Sequence, residues 1–188
     1  MHIFLTGPQD VGKTTVINKV LAKLEKQHSD KPLIVKGFRS FWGEDFAPRK
    51  SYAYIAHADC EFADLGAAAI ALRDTSTWDM EIYPQTFDNI GVGILEYSKD
   101  ADLILMDELG FMESEALDFR QKVMDVLDGN IPVIGVLKQD TEFFKDSPFL
   151  NGIRAHDKVC EIKVSVDNRD DLVEELVRIY DGIYMDRV

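Results

Sequence analysis

The feature that most constrains this chain is a glycine-rich octapeptide near its N-terminus, Gly7-Pro8-Gln9-Asp10-Val11-Gly12-Lys13-Thr14. It matches G-x-x-x-x-G-K-[ST], the pattern of the phosphate-binding P-loop. Residues 2–6 before it are apolar and predict a buried strand, and residues 15–24 after it have apolar side chains at helical spacing. A loop between a strand and a helix N-terminus points backbone N–H groups and the positive end of the helix dipole at an anion. The octapeptide therefore predicts a phosphate site.

The loop also assigns individual roles to its residues. Lys13 is expected to reach the β- and γ-phosphates of a nucleotide, and the Thr14 hydroxyl is expected to sit on Mg²⁺. The residues predicted to bind the nucleotide are Gly7, Pro8, Gln9, Asp10, Val11, Gly12, Lys13, Thr14 and Thr15.

A second motif lies at the end of another apolar run, residues 102–107. An acid at the end of a buried strand downstream of a P-loop is the Walker B arrangement, so Asp107 is expected to hold Mg²⁺, usually through water. Successive strand residues point to opposite faces of the sheet, so Glu108 need not bind Mg²⁺ together with Asp107. We expect Glu108 to position the attacking water as a catalytic residue, and the alternative is a carboxylate that caps a helix or is simply solvated.

Composition excludes several classes of function. The chain has 188 residues, enough for one domain with a core, and 21 basic against 34 acidic residues give a formal charge of -13. Such a chain repels nucleic-acid phosphates, and no basic run offsets the charge, so no nucleic-acid partner is expected. The sequence shows no signal peptide and no membrane span, which predicts a cytoplasmic protein without a membrane partner. It does not indicate an oligomeric state.

Strand-like and helix-like segments alternate along the rest of the chain. Further strands are predicted at residues 33–38, 51–56, 131–137 and 161–166, and helices at 83–97, 113–127, 149–154 and 170–180. This alternation predicts an α/β fold with a mainly parallel central sheet covered by helices on both faces. We expect a single domain, residues 1–188, in which residues 39–80 form an irregular insertion near the nucleotide site at the carboxyl edge of the sheet.

Three segments together resemble a known family: the P-loop with its Lys-Thr-Thr, residues 106–113 (Met-Asp-Glu-Leu-Gly-Phe-Met-Glu), and residues 164–172 (Val-Ser-Val-Asp-Asn-Arg-Asp-Asp-Leu). The chain resembles the nucleoside-triphosphatase family first described from hyperthermophiles, also called the cancer-related nucleoside-triphosphatase family. The resemblance implies the three-layer sandwich of P-loop NTPases and slow hydrolysis of ATP, GTP and other triphosphates. The family usually has Gly where this chain has Asp10, which predicts weaker phosphate binding. It also has a segment rich in Glu, with Arg and paired Gly, where this chain has residues 39–45.

Phosphoryl transfer needs a cation for the charge that develops in the transition state. Four basic residues are candidates for this role: Arg39, Arg49, Arg73 and Lys138. For each of them taken alone a solvated surface charge is the better interpretation, but we expect at least one to reach the site. The aromatic residues Trp42, Phe46, Tyr52 and Tyr54 are predicted either to form a lid or base-stacking surface or to cover the insertion.

Three functions agree with these residues. The first is Mg²⁺-dependent hydrolysis of nucleoside triphosphates with little discrimination between bases, since nothing resembles the N-K-x-D guanine reader. The second is a kinase that transfers the γ-phosphoryl group to a nucleotide or small metabolite, although the stretch between Gly135 and Arg154 lacks the arginine-rich lid usual in nucleotide kinases. The third is a nucleotide-gated interaction module. Phosphate release with and without acceptors distinguishes the first two, and a pull-down that depends on the bound nucleotide tests the third.

Overall fold

Eight strands form one continuous sheet in the computed structural model, which describes residues 1–44, 47–59, 67–77, 79–139 and 147–186. The strands are β1 (His2–Thr6), β2 (Val35–Trp42), β3 (Lys50–His57), β4 (Ala68–Asp74), β5 (Asp79–Ile82), β6 (Leu103–Leu109), β7 (Val133–Leu137) and β8 (Val159–Lys163). Their order across the sheet is β5-β4-β3-β2-β6-β7-β1-β8. Strands β2, β6, β7, β1 and β8 pair in parallel, and β3, β4 and β5 extend the sheet antiparallel from β2.

The helices lie on both faces of this sheet. They are α1 (Lys13–Gln27), α2 (Pro84–Thr86), α3 (Val92–Tyr97), α4 (Leu117–Asp128), α5 (Pro148–Arg154) and α6 (Arg169–Met185). A π-helical turn, Phe87–Gly91, joins α2 to α3, and a 3₁₀ turn, Ser98–Asp100, follows α3.

Alternation along the strands divides the buried side chains between two clusters. Ile3 and Leu5 of β1 pack with α1 and α6, whereas Phe4, between them, packs with α3, α4 and α5 on the other face. Both faces are therefore apolar, which explains why the central strands β1, β6 and β7 are mostly hydrophobic on both sides. The predicted three-layer α/β arrangement with a mainly parallel sheet is confirmed.

The expectation of an irregular insertion over residues 39–80 is wrong for the described part of that segment. It contains the end of β2, the whole of β3 and β4, and the start of β5. Strand β5 has only four residues, and the register of β3 on β4 shifts between Ala53 and Tyr54, so a regular period-2 pattern is hard to see in the sequence. The insertion widens the sheet rather than lying loosely across its edge.

Two details of the predicted helices are also wrong. The helix expected from Glu113 begins instead at Leu117, because residues 111–116 form turns, with Ala116 N–H donating to the Glu113 carbonyl at 3.1 Å. The helix predicted at residues 83–97 is not regular throughout, because the π-helical turn Phe87–Gly91 interrupts it. None of the helices in the described ranges is long and apolar enough to cross a membrane.

Candidate active site

The P-loop connects the carboxyl end of β1 to α1 through two left-handed glycines. Gly7 has φ +139° and Gly12, the N-cap of α1, has φ +104°. A Cβ at Gly7 would also lie 2.6 Å from the Val164 carbonyl oxygen, closer than two such atoms can approach. Both the backbone conformation and the close approach therefore require glycine at Gly7.

Asp10 takes a left-handed conformation as well, with φ +59°, and its side chain is exposed. Asp tolerates this region better than most non-glycine residues, so the loop forms with an acid at this position. The carboxylate contributes a negative charge to the field at Lys13.

The Lys13 side chain folds back over the loop. Its Nζ donates to the carbonyl oxygens of Gly7 at 3.0 Å and Pro8 at 2.8 Å. Partial burial lowers the pKa of Lys13, and the nearby Glu108 carboxylate opposes that shift. The Lys13 ammonium group is therefore half-buried and bonded to the loop.

Asp107, at the end of β6, lies directly beside the start of α1. Its Oδ1 accepts from the Thr14 hydroxyl at 3.2 Å, and its Oδ2 is 3.5 Å from Arg39 Nη1. Burial raises the pKa of Asp107 to about 6, although the Arg39 guanidinium and the Thr14 hydroxyl both lower it. The two protein groups predicted to contribute to a Mg²⁺ site are thus in contact.

This pair fits a Mg²⁺ ion in its chemistry. Mg²⁺ prefers hard oxygen ligands and usually completes its shell with water and substrate phosphates rather than with a cage of side chains. Thr14 and Asp107 supply a hydroxyl and a carboxylate next to the phosphate loop. In the described ranges, no three His, Cys, Asp or Glu residues cluster as a metal site.

Glu108 has different partners from Asp107. Its Oε1 is 3.2 Å from Lys138 Nζ, and Lys138 lies just beyond the end of β7, with its Nζ 5.3 Å from the centre of the Phe111 ring. The Glu108 carboxylate is partly exposed, and its charge also acts on Lys13. A partly exposed carboxylate beside Lys138 can accept a hydrogen bond from water, but the catalytic role of Glu108 stays a prediction.

Arg39 is held by protein groups on several sides. Besides the contact with Asp107, its Nη2 donates to Asn18 Oδ1 at 2.8 Å and its Nε to the Ala58 carbonyl at 3.4 Å. Sequence reasoning did not identify Asn18. Asn18 could have been identified from its position four residues after Thr14, because this spacing places both side chains on the same face of α1.

The structure brings together Lys13, Thr14, Asp107, Glu108 and Lys138, with Arg39 beside them.

The other two candidate arginines lie elsewhere in the antiparallel extension. Arg49 sits in the turn before β3, where its carbonyl accepts from Thr75 N–H at 2.8 Å. No bond in the described ranges joins its side chain to the P-loop or the acids. Arg73 donates to the Ser51 hydroxyl at 2.9 Å and stacks 4.2 Å from the Trp42 ring, a packing role.

The predicted aromatic surface is divided between two environments. Trp42 packs against the core cluster of α3 and α4, so it is not a free lid residue. Tyr54 stacks on Phe41 with ring centres 5.8 Å apart and lies 6.1 Å from the Tyr52 ring. Phe46 lies outside the described residues.

Comparison with known proteins identifies the family. The sequence model of the NTPase family matches residues 2–177. The chain belongs to this family. It is 29% identical over 182 residues to the nucleoside-triphosphatase THEP1 of Methanocaldococcus jannaschii, covering 94% of this chain and 95% of the relative. The corresponding protein of Thermotoga petrophila is 28% identical over 192 residues, covering 95% of this chain and 92% of the relative.

Two solved structures share the fold. The crystal structure of THEP1 from Aquifex aeolicus aligns with a TM-score of 0.70 at 22% identity, covering 96% of this chain and 99% of that one. The solution structure of a human cancer-related nucleoside triphosphatase aligns with a TM-score of 0.71 at 22% identity, covering 96% and 97%. These similarities confirm the P-loop NTPase fold that the motifs imply.

Proposed function

We propose that this protein hydrolyses nucleoside triphosphates to the diphosphate and phosphate in a Mg²⁺-dependent reaction. The observation that carries the proposal is the convergence of Lys13, Thr14, Asp107 and Glu108 on one side of the P-loop. Membership of the NTPase family supports the same activity.

Each of these residues has a role in the proposal. Lys13 leaves the Gly7 and Pro8 carbonyls to bind the β- and γ-phosphates, since an ammonium group gains more from phosphate oxygens than from neutral carbonyls. Thr14 and Asp107 would hold Mg²⁺, which when bound offsets phosphate charge.

Glu108 orients the attacking water and accepts its proton in the proposed reaction. Lys138 keeps the Glu108 carboxylate in place and supplies positive charge near the γ-phosphate. Arg39 is the second cation of the site, although its bonds to Asp107 and Asn18 favour a supporting role over direct contact with phosphate.

Single-turnover phosphate release beside titration calorimetry tests the proposal. Glu108→Gln keeps the shape of the side chain but makes it a poor proton acceptor, so we expect a loss of roughly 10²–10⁴-fold in rate with little change in nucleotide affinity. Glu96→Gln is the matched control, because Glu96 is an exposed acid of α3 whose ion-pair partner is Lys122 of α4. A Glu108→Gln protein with wild-type turnover would refute the assignment.

We also propose weak discrimination between bases, with the phosphates carrying most of the affinity. Competition binding with ATP, GTP, CTP and UTP measures it. A preference above about a hundredfold for one base, nearly 3 kcal/mol, would contradict the proposal.

A kinase remains the second candidate because an aromatic pair lies near the cation Arg39. Phe41 follows Arg39 by two residues on β2, so the two point to the same face, and Phe41 stacks on Tyr54. Such a surface suits a ring-bearing acceptor. Phosphate release that falls while a phosphorylated nucleoside or metabolite accumulates would favour transfer over hydrolysis.

A further inference from the structure

Glu113 is the most deeply buried acid of the candidate site. Its side chain is 0% exposed, and its Oε2 accepts from the Gly110 N–H at 2.9 Å. Its other oxygen, Oε1, is also buried and makes no hydrogen bond to any described residue. Burying a carboxyl group with one oxygen unpaired costs free energy of folding. The hydrogen bond that Glu113 accepts from Gly110 therefore needs a functional explanation.

The contact of Glu113 fixes the backbone beneath Lys138. A Cβ built on Gly110 would lie 3.2 Å from Lys138 Cδ and 3.5 Å from its Cβ, so the lysine stem rests directly on the glycine. The main chains are joined as well, because Lys138 N–H donates to the Leu109 carbonyl at 2.9 Å. The position of Gly110 therefore sets the position of Lys138.

The far end of Lys138 reaches Glu108. Nζ is 3.2 Å from Glu108 Oε1 and lies 5.3 Å from the Phe111 ring centre, and Arg154 donates to the Lys138 carbonyl at 3.1 Å. A continuous series of contacts thus leads from the buried Glu113 carboxyl group, through Gly110 and Lys138, to the partly exposed Glu108 carboxylate.

We propose that Glu113 is a positioning residue for hydrolysis: by holding the Gly110 amide, it fixes the surface that supports Lys138 and so keeps Lys138 against Glu108. The inference rests on the proposed function, in which Glu108 orients water. It gives the last Glu of the Met-Asp-Glu-Leu-Gly-Phe-Met-Glu segment a role that does not require contact with the nucleotide.

The charge state of Glu113 agrees with this arrangement. Burial raises its pKa to about 7, against the lowering effect of the amides of Gly110 and of Glu113 itself, while Glu108 raises it and Lys138 lowers it. Glu113 is therefore in the same electrostatic field as the pair that it supports.

Two variants perturb the series at different points. Glu113→Ala removes the acceptor, and Gly110→Ala keeps Glu113 but presses a methyl group on the Lys138 stem. We expect Glu113→Ala to lower kcat by roughly 10–10²-fold, the size of effect that a displacement of about 1 Å produces in an active site. Gly110→Ala requires the Lys138 stem to move by only a few tenths of an ångström, so its loss should be in the same direction but smaller. Nucleotide affinity should change less than about threefold, because neither residue touches the phosphate loop.

Glu113→Gln is the conservative variant, because its amide oxygen can still accept from Gly110. We expect it to restore kcat to within about threefold of the wild type. Val123→Ala is the stability control, since Val123 is fully buried in the core cluster that also contains Leu109 and Met112 and is not one of the residues assigned to the candidate site. The Val123→Ala protein should lose thermal stability with kcat unchanged. If Glu113 had a purely structural role, Glu113→Ala would give the same result.

Measurements of kcat, KM and nucleotide binding on the full-length variants decide the question. The Glu113→Ala and Gly110→Ala losses should also combine less than additively, because both act through Lys138. Wild-type kcat in Gly110→Ala, or a loss in Glu113→Ala that Glu113→Gln does not restore, would overturn the inference. If Glu113→Ala does not fold, Gly110→Ala and Glu113→Gln still decide. Unchanged turnover in Glu108→Gln would instead refute the proposed function.

Discussion

The Arg39 guanidinium lies 3.5 Å from the Asp107 carboxylate, measured from Nη1 to Oδ2, on adjacent parallel strands. The register of β2 on β6 places Arg39 directly opposite Asp107. Asn18 Oδ1 holds the other terminal nitrogen of Arg39 at 2.8 Å, so the arginine bridges α1 and β6. The acid beside the phosphate loop therefore has a fixed counter-charge within the protein.

Removing that charge should change the pH dependence of activity. The Arg39 charge lowers the pKa of Asp107, which burial raises to about 6. Without the guanidinium, Asp107 stays protonated to higher pH, so the acidic limb of kcat/KM, which reports the free enzyme, should move to higher pH in Arg39→Gln. Arg39→Lys is the control because it keeps the positive charge. The acidic limb of its kcat/KM profile should lie nearer that of the wild type. An unmoved limb in Arg39→Gln would show that Asp107 does not depend on this pair.

Lys13→Ala should abolish most turnover and leave the fold intact. The lysine bonds two loop carbonyls at 2.8 and 3.0 Å in a partly exposed position, so its loss costs about 1–2 kcal/mol of stability. Removing a preorganised donor from the phosphates costs roughly 10²–10³-fold in rate. Thermal unfolding and phosphate release measure the two effects separately. Near wild-type turnover in the same buffer would rule out the P-loop role.

Asp10→Gly should tighten nucleotide binding without changing turnover of the bound nucleotide. Glycine adopts the observed φ of +59° without strain, and the substitution removes a carboxylate that opposes the phosphates. One like charge in water contributes about 1 kcal/mol at close range, or roughly fivefold in Kd. Asp10→Asn separates the causes, since it tolerates the same φ and lacks the charge. Unchanged affinity in both variants would show that the carboxylate points away from the phosphates.

The sequence predicts the parts of the site that lie close together along the chain. The P-loop, its flanking strand and helix, and the acids at the end of β6 each depend on a short local pattern. The two-sided cover of the sheet also follows from strands that are apolar at every position.

The contacts that complete the site depend on pairing between distant strands. Arg39 meets Asp107 through the β2–β6 register, and Lys138 meets Glu108 across β6 and β7. A shift of one residue in either pairing would turn these side chains to the other face, and nothing local in the sequence fixes that register. The strand predicted at residues 51–56 corresponds to β3, but β4 and β5 were not predicted, since their antiparallel pairing with neighbouring strands is not encoded in one segment.

His2 should make the protein less stable in acid. It lies at the start of β1, fully buried, with Nε2 2.9 Å from the Leu127 carbonyl oxygen. Burial, with help from the N-terminal amino group, lowers its pKa from 6.5 to about 4. The unfolded chain therefore binds a proton more readily than the folded one, so the free energy of unfolding should fall as pH drops from 6.5 to about 4 and be unaffected by His2 above 6.5.

His2→Gln, whose amide can still donate to Leu127, should lose less stability than the wild type across that interval in denaturant titrations. His57→Gln, at the end of β3 against the Tyr97 ring, is the control for replacing a histidine elsewhere. Parallel loss of stability in the wild type and His2→Gln between those two pH values would show that other groups account for the acid sensitivity.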